Sequence, residues 1–178
     1  MLLVIIAALT AGAYVTSAFA SQSVQPGKAD VVYVPTPDVV VDAMLKLGNV
    51  TAKDVVYDLG SGDGRVVIAA AKNYGARGVG VEIDPFLVKT ANAAAAAAGV
   101  TDRVRFVNGN LFTARISDAT VVTLYLLQSL NEKLRPKLVR ELKPGTRVVS
   151  HVFSMGPEWP PEQTVMVGRS RIFLWTLR

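Results

Sequence analysis

The sequence contains no cysteine and only one histidine among its 178 residues. Without cysteine, the chain can form no disulfide framework, no thiolate-ligated zinc site and no cysteine nucleophile. The absence does not indicate a redox compartment, because it fits either one. The lone histidine, His151, stands near the end of a predicted strand. A structural role is more common than general-base catalysis there, and both interpretations stay open.

Charged residues are also scarce, at 19%, whereas hydrophobic residues make up 51%. This composition argues against disorder, and the length suits one domain with a sizeable core. The formal net charge is +5, but Lys and Arg are scattered and form no run of several basic residues. This pattern favours a solvated basic surface, and it makes a nucleic-acid partner the less favoured interpretation. A basic protein can also attract acidic partners or an anionic membrane.

Residues 1–20 lack charge and are mostly apolar. Ala18-Phe19-Ala20 fits a secretory cleavage site before Ser21, although no basic residue precedes the apolar stretch, as a signal peptide requires. About 20 apolar residues also suffice to span a bilayer. The first basic residue, Lys28, follows this segment, which would leave the domain in the cytoplasm. The segment therefore predicts either an exported protein or one anchored in a membrane and facing the cytoplasm, and a core helix is the least favoured interpretation.

The rest of the chain divides into a polar linker, residues 21–32, and a domain, residues 33–178, in which strand and helix patterns alternate. The predicted strands cover 54–59, 78–83, 103–107, 120–125 and 145–153, and the predicted helices cover 37–47, 65–72 and 85–98. Residues 165–167 and 171–177 predict a terminal hairpin. The alternation implies a parallel sheet with helices on both faces, and the hairpin adds an antiparallel edge.

Two local signals refine the helices. Thr36 is a favourable N-cap residue, and Pro37 suits the first position of the first helix. Leucines trace one helical face between residues 127 and 138, where Pro136 is predicted to split the region into two short helices.

The strongest chemical signal is the loop at residues 58–64, DLGSGDG, between the first strand and the second helix. Its glycines allow a tight turn and close approach of the backbone to a ligand. The spacing is G-x-G-x-G, and Arg65 stands where the dinucleotide fingerprint G-x-G-x-x-G has its third glycine. Asp58 would repel a pyrophosphate but can accept hydrogen bonds from an ammonium group. Glu82 ends the next strand and can accept from two ribose hydroxyls. A structural acid and a solvent-facing strand end are the respective alternatives.

This loop and its two carboxylates resemble motif I and the acidic ribose-binding position of class I S-adenosylmethionine (SAM) methyltransferases. The resemblance runs from about Tyr33 to the C terminus. It implies SAM as cofactor and an α/β, Rossmann-like fold with a seven-stranded, mostly parallel sheet, helices on both faces and an antiparallel C-terminal hairpin. It implies no metal. The residues expected around SAM are Tyr33, Thr36, Asp58, Gly60, Ser61, Gly62, Asp63, Gly64, Glu82, Ile83, Asn110, Leu111 and Thr123.

Five segments across the domain are similar to a narrower group, the protein lysine methyltransferases of the archaeal type and their mitochondrial relatives that methylate a lysine of the ATP synthase c-subunit. These segments are YVPTP (33–37), VVYDLGSGDGR (55–65), ATVVTLYLL (119–127), LNEKLRPKL (130–138) and LKPGTRVVSH (142–151). The similarity implies a protein lysine as methyl acceptor. It also points to Tyr125 as the residue whose ring lines the acceptor channel, since a ring face favours a nearby cation.

Several alternatives remain at this stage. The acceptor can instead be a small molecule or RNA, and the chain can be a noncatalytic SAM-fold binding protein at a membrane, associated through residues 1–20. Tyr125 can be an ordinary core aromatic, and Asn110 a turn former. Trp159 either shapes the acceptor entrance or packs over the sheet. No feature of the sequence indicates an oligomeric state.

The loop spacing predicts that the protein binds SAM and not NAD. Isothermal titration calorimetry with each ligand checks this expectation. Tight NAD binding without any response to SAM would contradict it.

Overall fold

The computed structural model describes residues 33–178, so the predicted N-terminal segment and the linker, residues 1–32, lie outside the described part. The helices are α1 (Asp38–Leu47), α2 (Arg65–Tyr74), α3 (Pro85–Ala97) and α4 (Gln128–Glu141). The strands are β1 (Val55–Leu59), β2 (Arg77–Glu82), β3 (Val104–Asn108), β4 (Val121–Leu124), β5 (Arg147–His151), β6 (Gln163–Val167) and β7 (Ser170–Thr176). The predicted elements are all present, with boundaries that differ by a few residues.

The seven strands form one sheet in the order β3-β2-β1-β4-β5-β7-β6. Strands β1 to β5 pair in parallel, and β7 pairs antiparallel with both β5 and β6. The predicted seven-stranded, mostly parallel sheet with an antiparallel C-terminal hairpin is confirmed. Strand order reverses at β1 and β4, so a crevice forms beyond the carboxyl ends of these strands.

Helices cover both faces of the sheet because successive strand residues point to opposite sides. Val56 of β1 packs in a cluster with Leu45 of α1 and Val67 of α2. The next residue, Tyr57, packs in another cluster with Leu134 of α4. The strands on which the crevice depends are therefore held from both sides.

Helix α4 is continuous, so the prediction that Pro136 splits it is wrong. Proline removes one helical hydrogen bond and crowds the preceding turn. Tertiary contacts hold both halves nonetheless: Leu134 and Leu138 are fully buried on either side of the proline. Upstream, the Asn131 amide donates to the carbonyl oxygen of Phe153 at 3.0 Å.

The predicted N-cap of α1 is also wrong. Pro37 occupies the N-cap, and no side chain caps the helix. The hydroxyl of Thr36 instead lies 3.3 Å from Nδ1 of His151. The Thr36 side chain therefore serves a tertiary contact, which local sequence rules do not detect.

No helix within residues 33–178 is both long and apolar enough to span a bilayer. This finding corrects the prediction of a protein that is either membrane-anchored and facing the cytoplasm or exported. Residues 1–20, on which that prediction rested, lie outside the described residues.

Candidate functional site

A cavity of about 570 Å³ opens at the carboxyl ends of β1, β2 and β4. Its size falls within the usual range for small-molecule sites. Most of the residues predicted around SAM line it, together with Tyr125. These lining residues are Tyr33, Thr36, Asp58, Gly60, Ser61, Asp63, Glu82, Ile83, Asn110, Leu111 and Tyr125.

Three predicted residues, Gly62, Gly64 and Thr123, do not line the cavity. A Cβ atom on Gly62 would lie 2.2 Å from the ring of Tyr33, and one on Gly64 would lie 2.5 Å from the ring of Phe106. Both glycines have positive φ, so a side chain there would be strained as well as crowded. Thr123 is fully buried behind the cavity wall. These residues shape the cavity without facing it.

The carboxylate of Asp58 is the most unusual group in the cavity. It is buried and accepts a 2.7 Å hydrogen bond from the hydroxyl of Thr123. Burial, together with the nearby charges of Glu82 and Asp63, raises the pKa of Asp58 to about 7. Within residues 33–178, no lysine or arginine offsets this effect. A buried acid with such a pKa suits a bound cation, which would restore its charged form.

Glu82 is held by the backbone of two neighbouring turns. Its Oε2 atom accepts from the N–H of Gly62 at 2.8 Å, and Oε1 accepts from Ile83 at 2.8 Å and Asp84 at 3.0 Å. The residue is only 8% exposed, which disfavours the alternative of a solvent-facing strand end. A carboxylate has about four acceptor positions, so Oε2 keeps acceptor capacity for a ligand hydroxyl.

Two further lining residues bear on ligand binding. The hydroxyl oxygen of Ser61 is buried and has no hydrogen-bond partner among the described residues. Such a group is costly unless a ligand or water satisfies it. Asn110 lines the cavity but also accepts a 2.9 Å hydrogen bond from the N–H of Phe112, so it forms a turn as the alternative interpretation expected.

Arg65 clamps the segment before α1 across the cavity, a role that the sequence did not indicate. Its guanidinium group forms a bidentate pair with Asp63 and donates a 2.9 Å hydrogen bond to the carbonyl oxygen of Thr36. The ring of Tyr33 packs over Gly62. The only available signal was the position of Arg65, where a dinucleotide-binding loop would have glycine.

At the other end of the cavity, the half-buried Tyr125 packs against His151. Their ring centroids are 4.1 Å apart. His151 is buried, its Nδ1 lies 3.3 Å from Oγ1 of Thr36, and its Nε2 lies 3.0 Å from Oγ of Ser170. Burial lowers the pKa of His151. Both ring nitrogens are engaged, so the imidazole is poorly placed to act as a general base.

Trp159 lies away from this cavity. Its ring packs at 5.9 Å from that of Trp175, whose Nε1 donates to the Trp159 carbonyl oxygen at 2.8 Å. The interpretation that Trp159 packs over the sheet is therefore favoured over a place at the acceptor entrance. Across residues 33–178, no cluster of three or more histidine, aspartate or glutamate side chains is placed to hold a metal ion.

Comparison with known proteins reveals close relatives. The profile of the ANTKMT methyltransferase domain matches residues 58–163. A protein-lysine N-methyltransferase of Saccharolobus islandicus (strain REY15A) is 51% identical over 136 residues, which cover 76% of this chain and 84% of that protein. The lysine N-methyltransferase of Xenopus laevis named for the ATP synthase c-subunit is 33% identical over 82% of this chain, but the match spans only 63% of the frog protein.

A solved structure is also similar. It is described as an RNA methyltransferase from Salinibacter ruber in complex with S-adenosyl-L-homocysteine. The two chains are 60% identical and superpose with a TM-score of 0.80. The similarity covers 81% of this chain and 94% of the other.

The raised pKa of Asp58 predicts that an ammonium ligand releases a proton when it binds. A cation beside the carboxylate lowers its pKa, so at about pH 6.5 S-adenosyl-L-homocysteine should displace well over half a proton per site. Near pH 8 the release should approach zero, because the carboxylate is already ionised. Calorimetry in buffers of different ionisation enthalpy measures this number.

Asp58→Asn is the matched control, since it keeps the shape and removes the titration. The variant should bind more weakly and release no proton. Proton release that is the same for both proteins at about pH 6.5 would contradict the assignment of the titration to Asp58.

Proposed function

Because this chain belongs to the ANTKMT methyltransferase family, we propose that it is a SAM-dependent protein-lysine N-methyltransferase whose catalytic domain spans residues 33–178. The observation that carries this conclusion is the buried carboxylate of Asp58, which lacks a basic partner among the described residues and lies beside a glycine loop at the switch point of the sheet. A relative 51% identical is a protein-lysine N-methyltransferase, which supports the choice of acceptor.

The cavity offers a partner for each part of SAM. In this proposal Asp58 accepts from the α-ammonium group, and the hydroxyl of Ser61 gains the partner that it lacks among the described residues. Glu82 receives the ribose hydroxyls on its remaining acceptor capacity. Ile83 and Leu111 contact the adenine from the ends of neighbouring strands. The similar structure with bound S-adenosyl-L-homocysteine supports this ligand class.

When bound, SAM supplies a methyl group on a sulfonium sulfur, which leaves as a neutral thioether. The protein must therefore hold the nucleophile in line with the methyl group, about 3 Å away. We assign this work to Tyr125, whose ring face is exposed to the cavity end opposite Glu82. A cationic or partly neutral amine is favoured over such a face.

A lysine acceptor must lose a proton first, because its reference pKa is about 10.4. The cavity wall near Tyr125 is apolar, with Leu124, Leu126 and Leu130 contributing. Burial in such a wall lowers the pKa of an amine. No dedicated base is needed, which agrees with a His151 whose two nitrogens are already engaged.

We expect labelled methyl groups to appear on lysine side chains of proteins. Incubation of the purified protein with labelled SAM and a denatured protein extract, followed by mass spectrometry, locates the added mass. A parallel reaction contains total RNA, because the similar structure is described as an RNA methyltransferase. Label confined to RNA, or to small molecules, would contradict the lysine acceptor but not the methyltransferase assignment.

The role of Tyr125 predicts a separation of turnover from cofactor affinity. Tyr125→Ala should lower methyl transfer by about tenfold or more, since a misplaced acceptor loses alignment, while the dissociation constant for SAM changes little. Tyr125→Phe should be milder, because the ring face is retained. Initial rates with the protein extract and calorimetry with SAM measure the two quantities. Normal turnover in Tyr125→Ala would remove Tyr125 from the acceptor site.

A further inference from the structure

His151 joins three elements at one end of the cavity. Its ring packs on Tyr125, which follows β4, with centroids 4.1 Å apart. One nitrogen lies 3.3 Å from the hydroxyl of Thr36, in the segment before α1, and the other lies 3.0 Å from the hydroxyl of Ser170 at the start of β7. At 2% exposure, the imidazole is enclosed by groups that fix both its place and its tilt.

The chain turns sharply just after His151, and the turn is strained. Val152 has a φ of 68°, which is rare for a β-branched residue. Its N–H donates a 2.7 Å hydrogen bond to the carbonyl oxygen of Arg171, and the N–H of Phe153 donates to the carbonyl oxygen of His151 at 2.9 Å. Strain of this kind persists only where the surroundings over-determine it, and it is concentrated at functional sites. The end of β5 is thus held in one conformation.

We propose that His151 is a positioning residue, which holds the ring of Tyr125 in place for the acceptor and is itself fixed by Thr36 and Ser170. The inference rests on the acceptor role proposed above for Tyr125. Within residues 33–178, the hydrogen bonds that fix this corner run to His151 and not to Tyr125. The orientation of the tyrosine ring therefore depends on its contact with the imidazole.

The Thr36 contact extends this role to the cofactor side of the cavity. The carbonyl oxygen of Thr36 accepts from Arg65 at 2.9 Å, and Arg65 pairs with Asp63 of the glycine loop. One residue therefore carries a side-chain contact to the acceptor wall and a backbone contact to the cofactor loop. His151 is the link that makes the two walls share this anchor.

Two substitutions separate the ring contact from the hydrogen bonds. His151→Asn keeps polar atoms near Thr36 and Ser170 but removes the ring face. His151→Phe keeps a ring against Tyr125 but removes both hydrogen bonds. Fluorine NMR of protein labelled with 3-fluorotyrosine reports on the Tyr125 ring directly, and the Tyr125→Phe variant identifies its signal. We expect His151→Asn to shift or broaden this signal while the signals of other tyrosines stay in place, and His151→Phe to perturb it less.

Activity provides the second readout. The initial rate of lysine methylation in a denatured protein extract, at saturating SAM, should fall about 10-fold to 100-fold in His151→Asn, with calorimetric SAM affinity nearly unchanged. In a Tyr125→Ala background the same substitution should cost less than about twofold, because residues that act through one another are not additive. This coupling would not arise from a merely structural role.

Three results would overturn the inference. An unchanged Tyr125 signal in His151→Asn would show that the imidazole does not place the ring. Losses that multiply in the double variant would show that His151 does not act through Tyr125. Loss of turnover in both His151 variants with an unchanged Tyr125 signal would identify a general base. The proposed function fails separately, through normal turnover in Tyr125→Ala or the absence of methylated lysine.

Discussion

The burial of one carboxylate, with no basic partner among residues 33–178, is the constraint on which this cavity depends. Asp58 lies near the carboxyl end of β1, where burial raises its pKa to about 7. The fold tolerates this group by a hydrogen bond from Thr123 and by glycines that let the following loop turn away. That loop then meets Glu82 through the N–H of Gly62. The unfavourable burial makes the site ready for a cation, since a bound ammonium group supplies the missing partner.

The sequence predicted those parts of the fold and site that local patterns encode. Strand and helix periodicity established the sheet, and the glycine loop located Asp58 at its edge. The failures share one cause, which is that tertiary contacts overrule local preferences. Thr36 caps no helix because its hydroxyl faces His151, 115 residues later, and Pro136 does not break α4 because buried leucines on both sides hold the helix. The support of Asp58 by Thr123 likewise comes from strands adjacent only in space.

The two halves of the site differ in how well they transfer between relatives. The cofactor half is made from one loop and the ends of β1 and β2, and its sequence signature is short and continuous. The acceptor half is made from the ends of β4 and β5 and the segment before α1, which are distant in sequence. This explains why a lysine methyltransferase and a structure described as an RNA methyltransferase can both be similar to this chain. The shared fold decides the methyl donor, whereas the residues around Tyr125 decide the acceptor.

The central claim is that Asp58 and Glu82 form a SAM site at the switch point of the sheet. A crystal structure of the protein with bound S-adenosyl-L-homocysteine tests it most directly. The account predicts the α-amino group within hydrogen-bond distance of the Asp58 carboxylate and the ribose hydroxyls on Glu82, with the sulfur atom turned toward Tyr125. A ligand that lies outside this cavity, or whose amino group is remote from Asp58, would contradict the account.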